Sequence, residues 1–252
     1  MAANREPKIV SADPKNPRRN NKVCEFLPYS GREAFKRLRT NVLIALEGAG
    51  KKRCKIVGVT SAQPSEGKSS VSVNLAYSLA ELGKSVLLLD CDMRRPAIHE
   101  VVSTSLTPGL SDVLLGNANL NETVVQYKST TDGTSFLLIP GGEIPSHPSE
   151  LLNSDRFQKL LEALSASFDV VILDLPPVNA VVDAVNVSKL VDGMLVVIRE
   201  DHCPRYVLNE CMEQLRYAKA NILGFVMNGC VEGAGKHYQY QYRNQPYYRT
   251  DK

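Results

Sequence analysis

The chain has 252 residues, 43% of them apolar and 23% charged, with a net charge of +3; that is enough for one α/β domain with a substantial core, and too apolar for a wholly disordered chain. No apolar run approaches the ~18 residues a membrane-spanning helix needs, and the opening MAANREPKIV lacks the apolar centre of a secretory signal. Cysteines at positions 24, 54, 91, 203, 211 and 230 show no paired metal-ligand spacing, so they read as reduced thiols of a cytoplasmic protein. Charge is uneven: residues 1–53 hold 13 Lys/Arg against 5 Asp/Glu, or +8, which leaves −5 for the remainder. A solvated basic surface or contact with an acidic partner or anionic membrane face explains this. Nucleic acid is not expected, because no aromatic residues interleave with the charge.

In chain order, residues 1–28 are rich in Pro, Asn, Lys and Arg and read as a mobile arm. Ala34, Leu38, Val42 and Ala45 recur at helical spacing and predict a helix over about 31–46, with Lys36, Arg37 and Arg39 on its other face. A βα alternation follows: strand Ile56–Thr60, helix Ser69–Leu82 ended by Gly83, and strand Val86–Asp90. Phe136–Ile139 is a further strand. After it Ser154 is placed to cap a helix with the apolar stripe Phe157, Leu160, Leu161 and Leu164. Val170–Asp174, Met194–Arg199 and Ile222–Asn228 are three more strands. Continuously apolar strands fit a parallel sheet covered on both faces. The expected fold is a doubly wound, mostly parallel α/β sheet over residues 29–235. The tail, 236–252, lacks apolar periodicity yet holds Tyr238, Tyr240, Tyr242, Tyr247 and Tyr248, half of the chain's 10 tyrosines.

The candidate chemistry starts at VGVTSAQPSEGKSS, a strand–loop–helix context for a phosphate-binding loop. Backbone N–H groups from Ser65 through Glu66, Gly67, Lys68 and Ser69 to Ser70 would point at phosphate oxygens from the positive end of a helix. Lys68 would bridge the β- and γ-phosphates and the Ser69 hydroxyl would ligate Mg²⁺. Ala62 stands where GxxxxGK[ST] has its first glycine, which is tolerable if its φ is ordinary. Asp90 and Asp92 in VLLLDCDMRRP and Asp174 in VVILDLPP lie at strand ends, where open α/β sheets place ligands. They are candidates for Mg²⁺ ligation and proton acceptance.

These segments together resemble the bacterial tyrosine kinases of capsular and exopolysaccharide export, over roughly residues 29–252. SAQPSEGKSS is similar to their deviant Walker A, LLLDCDMRRP to their Walker A′ with its DxDxR pattern of Asp90, Asp92 and Arg94, and VVILDLPP to their Walker B. IPSHPSELLNSDRF is similar to another family segment, with His147 where Asn is expected. GREAFKRLRTN resembles the oligomerisation helix, with Glu33, Lys36 and Arg39 at the motif positions and Lys36 replacing Arg. The resemblance implies a P-loop NTPase fold of the ParA/MinD-like superfamily and protein-tyrosine kinase activity with ATP and Mg²⁺. It implies that Lys68, Asp92 and Asp174 organise Mg-ATP and Asp90 takes the tyrosine's proton, that Arg94 and Arg95 steady phosphates, and that Asn228 contacts adenine. It further implies autophosphorylation of the five tail tyrosines, ring assembly, a separate membrane adaptor or polysaccharide co-polymerase that brings the chain to the inner face of the plasma membrane, and a cognate tyrosine phosphatase. The competing reading is a ParA/MinD-like ATPase switch, but the signature lysine of that class is Gln63 here. A metal-cluster carrier would need a CxxC, which the chain does not have. A catalytically idle scaffold is at odds with intact Lys68, Asp92 and Asp174.

Overall fold

The computed structural model describes residues 7–11, 23–47 and 54–230. Strands β1 (Lys8–Val10), β2 (Lys55–Ser61), β3 (Val86–Asp90), β4 (Val125–Lys128), β5 (Ser135–Ile139), β6 (Val170–Asp174), β7 (Gly193–Arg199) and β8 (Ile222–Asn228) form one sheet. Its order is β1-β4-β5-β3-β6-β2-β7-β8. All pairings are parallel except that of β4 with β5. The helices are α1 (Tyr29–Glu47), α2 (Lys68–Ala80), α3 (Ile98–Val101), α4 (Leu110–Leu115), α5 (Leu120–Thr123), α6 (Pro148–Leu152), α7 (Asp155–Ser165), α8 (Asp183–Val187) and α9 (Arg205–Tyr217).

The continuously apolar strands are explained by two cores, one on each face. Successive side chains alternate sides, so Val57, Val59, Leu88 and Ile172 pack toward α1, α2 and α3. Their neighbours Ile56, Leu87, Leu89 and Val171 pack toward α4, α6, α7, α8 and α9. Helix α2 is buried along most of its length, with Leu75, Ala76 and Leu79 fully covered, as befits a helix enclosed by sheet and helix. Helix α7 keeps one covered stripe of Phe157, Leu161 and Leu164, and Ser154 caps it by accepting the Phe157 N–H at 3.2 Å.

Two expectations are corrected. Within the segment read as an arm, Lys8–Val10 pairs as an edge strand with β4. Val23 and Cys24 are buried, and Glu25 binds the Tyr127 hydroxyl and accepts from Ser129 Oγ at 2.9 Å. Strand β4 and its partner β1 escaped notice because each is too short to show a period. In α1 the covered stripe is Leu38, Val42 and Leu46, whereas Ala34 and Ala45 are exposed; larger side chains one position away take the inner face. The tail tyrosines Tyr238, Tyr240, Tyr242, Tyr247 and Tyr248 lie outside the described residues.

The expected strip of Glu33, Lys36 and Arg39 is split. Glu33 and Lys36 pair with each other at 2.8 Å. Arg39 turns inward, with Nη1 donating to the Ser78 carbonyl at 2.6 Å and to Glu81 Oε2 at 2.9 Å, and its side chain is 13% exposed. A cation at the carboxyl end of α2 suits that helix's dipole, so Arg39 joins α1 to the helix that begins with Lys68. Arg39→Ala is expected to lower unfolding free energy by about 1.5–3 kcal/mol, with exposed Arg37→Ala within about 0.5 kcal/mol of the parent. Urea denaturation at dilutions where the protein is monomeric measures both; equal, small effects would refute the intrachain role.

Candidate active site

Parallel register decides where the acidic residues fall. Asp90 of β3 is the partner of Asp174 of β6, and Val59 of β2 is the partner of Asp174 on its other side. Adjacent strands lie ~4.8 Å apart, so the two carboxylates sit side by side beneath the start of α2. The phosphate loop leaves β2 after Ser61 and reaches α2 through Ser65 (φ 67°) and Gly67 (φ 90°). Ala62 is fully buried and is not among the positive-φ residues, which is why alanine replaces glycine there without strain.

Lys68 opens α2 and its Nζ lies 2.8 Å from Asp92 Oδ2 and 3.5 Å from Asp174 Oδ2. Ser69 Oγ donates to Asp174 Oδ2 at 2.5 Å and Ser72 Oγ to Oδ1 at 3.0 Å. Asp90 is wholly buried; its Oδ2 accepts from the N–H groups of Ala97 at 3.0 Å and Ile98 at 3.1 Å. Burial disfavours the Lys68 charge, but Asp174 and Asp92 outweigh it and hold the ammonium above its ordinary pKa. Burial first, and the Asp174 carboxylate second, push Asp90 up to about 8. Burial raises Asp174 as well. The first turn of α2 has no side-chain cap and no acidic residue, so its N–H groups and Lys68 form a donor set for an anion.

The loop is braced from below by Glu66, a fully buried carboxylate that accepts the Gln63 N–H at 2.9 Å. Asn228, expected at the adenine, donates from Nδ2 to the Glu66 carbonyl at 2.9 Å. A Cβ on Gly67 would meet that Nδ2 at 2.0 Å, so the close approach of β8 to the loop demands glycine there. Arg94 points elsewhere than the phosphate loop, with Nε 3.2 Å from Asp183 and Nη2 2.9 Å from Ser149 Oγ. Arg95 is exposed. Sequence reasoning missed Ser72, although it lies one helical turn from Ser69, and it missed Glu66 as a side-chain brace and Asp183 as the partner of Arg94.

A converging lysine and carboxylates at the strand ends, with an uncapped helix above them, define a P-loop nucleotide-binding domain. Consistent with that class, residues 54–222 match a family model described as an AAA domain. The chain is 34% identical to the tyrosine-protein kinase YwqD of Bacillus subtilis, covering 83% of this chain and 85% of that one. It is 32% identical to the tyrosine-protein kinase CpsD of Streptococcus agalactiae, covering 82% and 87%. The solved kinase domain of the Escherichia coli tyrosine kinase ETK superposes with a TM-score of 0.73 at 34% identity, covering 82% and 78%. The chain belongs to the bacterial tyrosine-protein kinases.

The buried acids carry a stability cost that depends on pH. A carboxyl with a raised folded pKa binds a proton that the unfolded chain has already released, so stability falls as pH rises through the interval between the two values. For Asp90 that interval runs from about 3.8 to about 8. The metal- and nucleotide-free protein should therefore lose stability between pH 5 and 8, and Asp90→Asn should flatten that slope. Thermal melts across this range in EDTA measure it; an unchanged slope in the variant would remove Asp90 as the cause.

Proposed function

We propose that this chain transfers the γ-phosphoryl group of Mg-ATP to tyrosines of its own C-terminal cluster, acting between copies, within a capsule or exopolysaccharide assembly system. The observation that carries the reading is Lys68 held against Asp92 and Asp174 at the uncapped start of α2, in a chain of the tyrosine-kinase family. The Lys68 ammonium and the N–H groups from Ser65 to Ser70 would neutralise charge on the β- and γ-phosphates.

Asp92, Asp174 and the Ser69 hydroxyl are the residues that would hold Mg²⁺. Among the described residues no group of three His, Cys, Asp or Glu side chains suited to a metal is found. Two carboxylates and a hydroxyl are a donor set that Mg²⁺ commonly takes, completing its shell with water and substrate phosphates. Bound there, the ion would supply further charge neutralisation at the transferring group. Asp90, fixed by the Ala97 and Ile98 N–H groups and raised toward neutral pH, would accept the proton of the attacking tyrosine hydroxyl. Asn228 would line the adenine side while bracing Glu66.

The acceptors would be Tyr238, Tyr240, Tyr242, Tyr247 and Tyr248. Each phosphate adds about −1.5 to −2 charges, so a fully modified tail would be repelled from Asp90, Asp92, Asp174 and bound nucleotide, and would leave the site. Head-to-tail contacts through the α1 surface, including Glu33, Lys36 and Arg39, would close a ring; Arg39 would contribute indirectly, by fixing α1 on α2. A separate membrane adaptor would raise local concentration through its cytosolic tail. A tyrosine phosphatase would reset the cycle.

Lys68→Met should fold and lose tail labelling by at least about 10²-fold. Asp92→Asn and Asp174→Asn should act mainly through weakened Mg²⁺ dependence, and Asp90→Asn should spare nucleotide binding more than turnover. Phosphopeptide mapping after incubation with Mg-ATP, alongside nucleotide titration, measures all four; near-parental labelling by Lys68→Met would sink the proposal.

A further inference from the structure

We propose that the open groove between Leu106–Pro108 and Glu143–Ile144 docks the tail of a second copy of this chain and selects tyrosines followed by arginine. The inference rests on the reading of the tail as the kinase's substrate. The groove is ≈ 720 Å³ and is lined by Leu106, Thr107, Pro108, Asp112, Glu143 and Ile144.

The groove lies at the same end of the sheet as the site carboxylates, because Ile139 of β5 is the parallel partner of Leu89, the residue before Asp90. Chain leaving β5 runs antiparallel to the approach to α4, with Leu110 N–H donating to the Pro140 carbonyl at 2.8 Å and Gly142 N–H to the Leu106 carbonyl at 3.2 Å. Ser111 Oγ fixes the Glu143 carbonyl at 2.6 Å. Beneath it the buried Gly141 packs against the stretch that carries the acids, where a Cβ would meet Pro96 at 2.8 Å and Asp90 Cγ at 3.7 Å. A peptide lying in the groove is therefore held at the end of the sheet where Asp90, Asp92 and Asp174 lie.

The lining chemistry is specific. Leu106, Pro108 and the 59%-exposed Ile144 form an apolar wall. Glu143 is exposed beside it, and the buried Asp112 adds a second carboxylate. An aromatic ring next to a guanidinium complements such a surface. The tail offers that pair twice, as Tyr242–Arg243 and Tyr248–Arg249, and residues 236–252 carry four Lys/Arg against one Asp.

Sheet order puts the start of the chain's own tail far from its own groove, and the head-to-tail assembly proposed for the α1 surface would bring a neighbour's tail to it. The tail follows β8 at one edge, whereas the groove lies beyond β5, five strand positions away, or ~24 Å at ~4.8 Å per strand. Between them stands the phosphate loop on β2.

The test uses a full-length enzyme whose five tail tyrosines are Phe, and as acceptor a full-length Lys68→Met chain with its tail intact. Glu143→Lys in the enzyme should raise KM for the acceptor about 5- to 10-fold with kcat little changed. An acceptor carrying Arg243→Glu and Arg249→Glu should be poor for the parent enzyme and recover with Glu143→Lys. Ile144→Ser should raise KM for both acceptors, and melting curves verify that each variant folds. Unchanged KM in Glu143→Lys, or no recovery by charge exchange, overturns the groove while leaving tail phosphorylation intact. No label on the parent acceptor tail overturns the substrate reading itself.

Discussion

One buried ammonium organises this protein. Lys68 is the cation among Asp90, Asp92 and Asp174 beneath the start of α2, close to two of the carboxylates. Three acids against one base leave the site with surplus negative charge in a buried setting, and desolvation pushes Asp90 and Asp174 toward their protonated forms. Such an arrangement is unfavourable for folding and favourable for a divalent cation with an anionic ligand, since charge-bearing groups gathered in low dielectric interact strongly. The rest of the fold serves to hold these groups in place.

Two long braces do that holding. Helix α2 is fixed at its far end by Arg39 from α1 and along its length by the core on that face of the sheet. The phosphate loop is fixed from the other side, where Asn228 at the end of β8 grips the Glu66 carbonyl and excludes any side chain from Gly67. The two ends of α2 are thereby tied to neighbouring elements, α1 at one and the β8 edge at the other. Glu66 is an unusual support, a buried carboxylate within an anion-binding loop. It accepts the backbone N–H groups of Gln63 and Arg199, which lets the loop hold its shape with Ala62, Gln63, Pro64 and Ser65 in place of a glycine-rich run.

Arg94 illustrates how one motif divides its duties. Asp92 of the DxDxR run meets Lys68, and Asp90 is tied to the chain that leads into α3. Arg94 joins Asp183 and Ser149, and so links the chain following β3 to α6 and α8 on the other face. The segment containing His147 and Ser149 is thus anchored to the same stretch that carries the acids.

The doubly wound sheet, the phosphate loop and the three acids were legible in the sequence because each is local: an apolar run, a strand–loop–helix junction, and carboxylates closing a strand. Val170–Asp174 and Val86–Asp90 show this, since their bounds follow directly from where hydrophobicity stops. Tertiary structure decided everything that depends on which elements meet. Strand β1 and the Glu25 contacts depend on partners more than a hundred residues away, and buried Cys24 donates to the Asn74 carbonyl fifty residues on. The inward turn of Arg39, the grip of Asn228 on Glu66, and the second hydroxyl that Ser72 gives Asp174 are distances across elements, to which a one-dimensional period is blind. Residue chemistry determined what the site can do; the register of β3 against β6 determined that Asp90 and Asp174 must do it side by side.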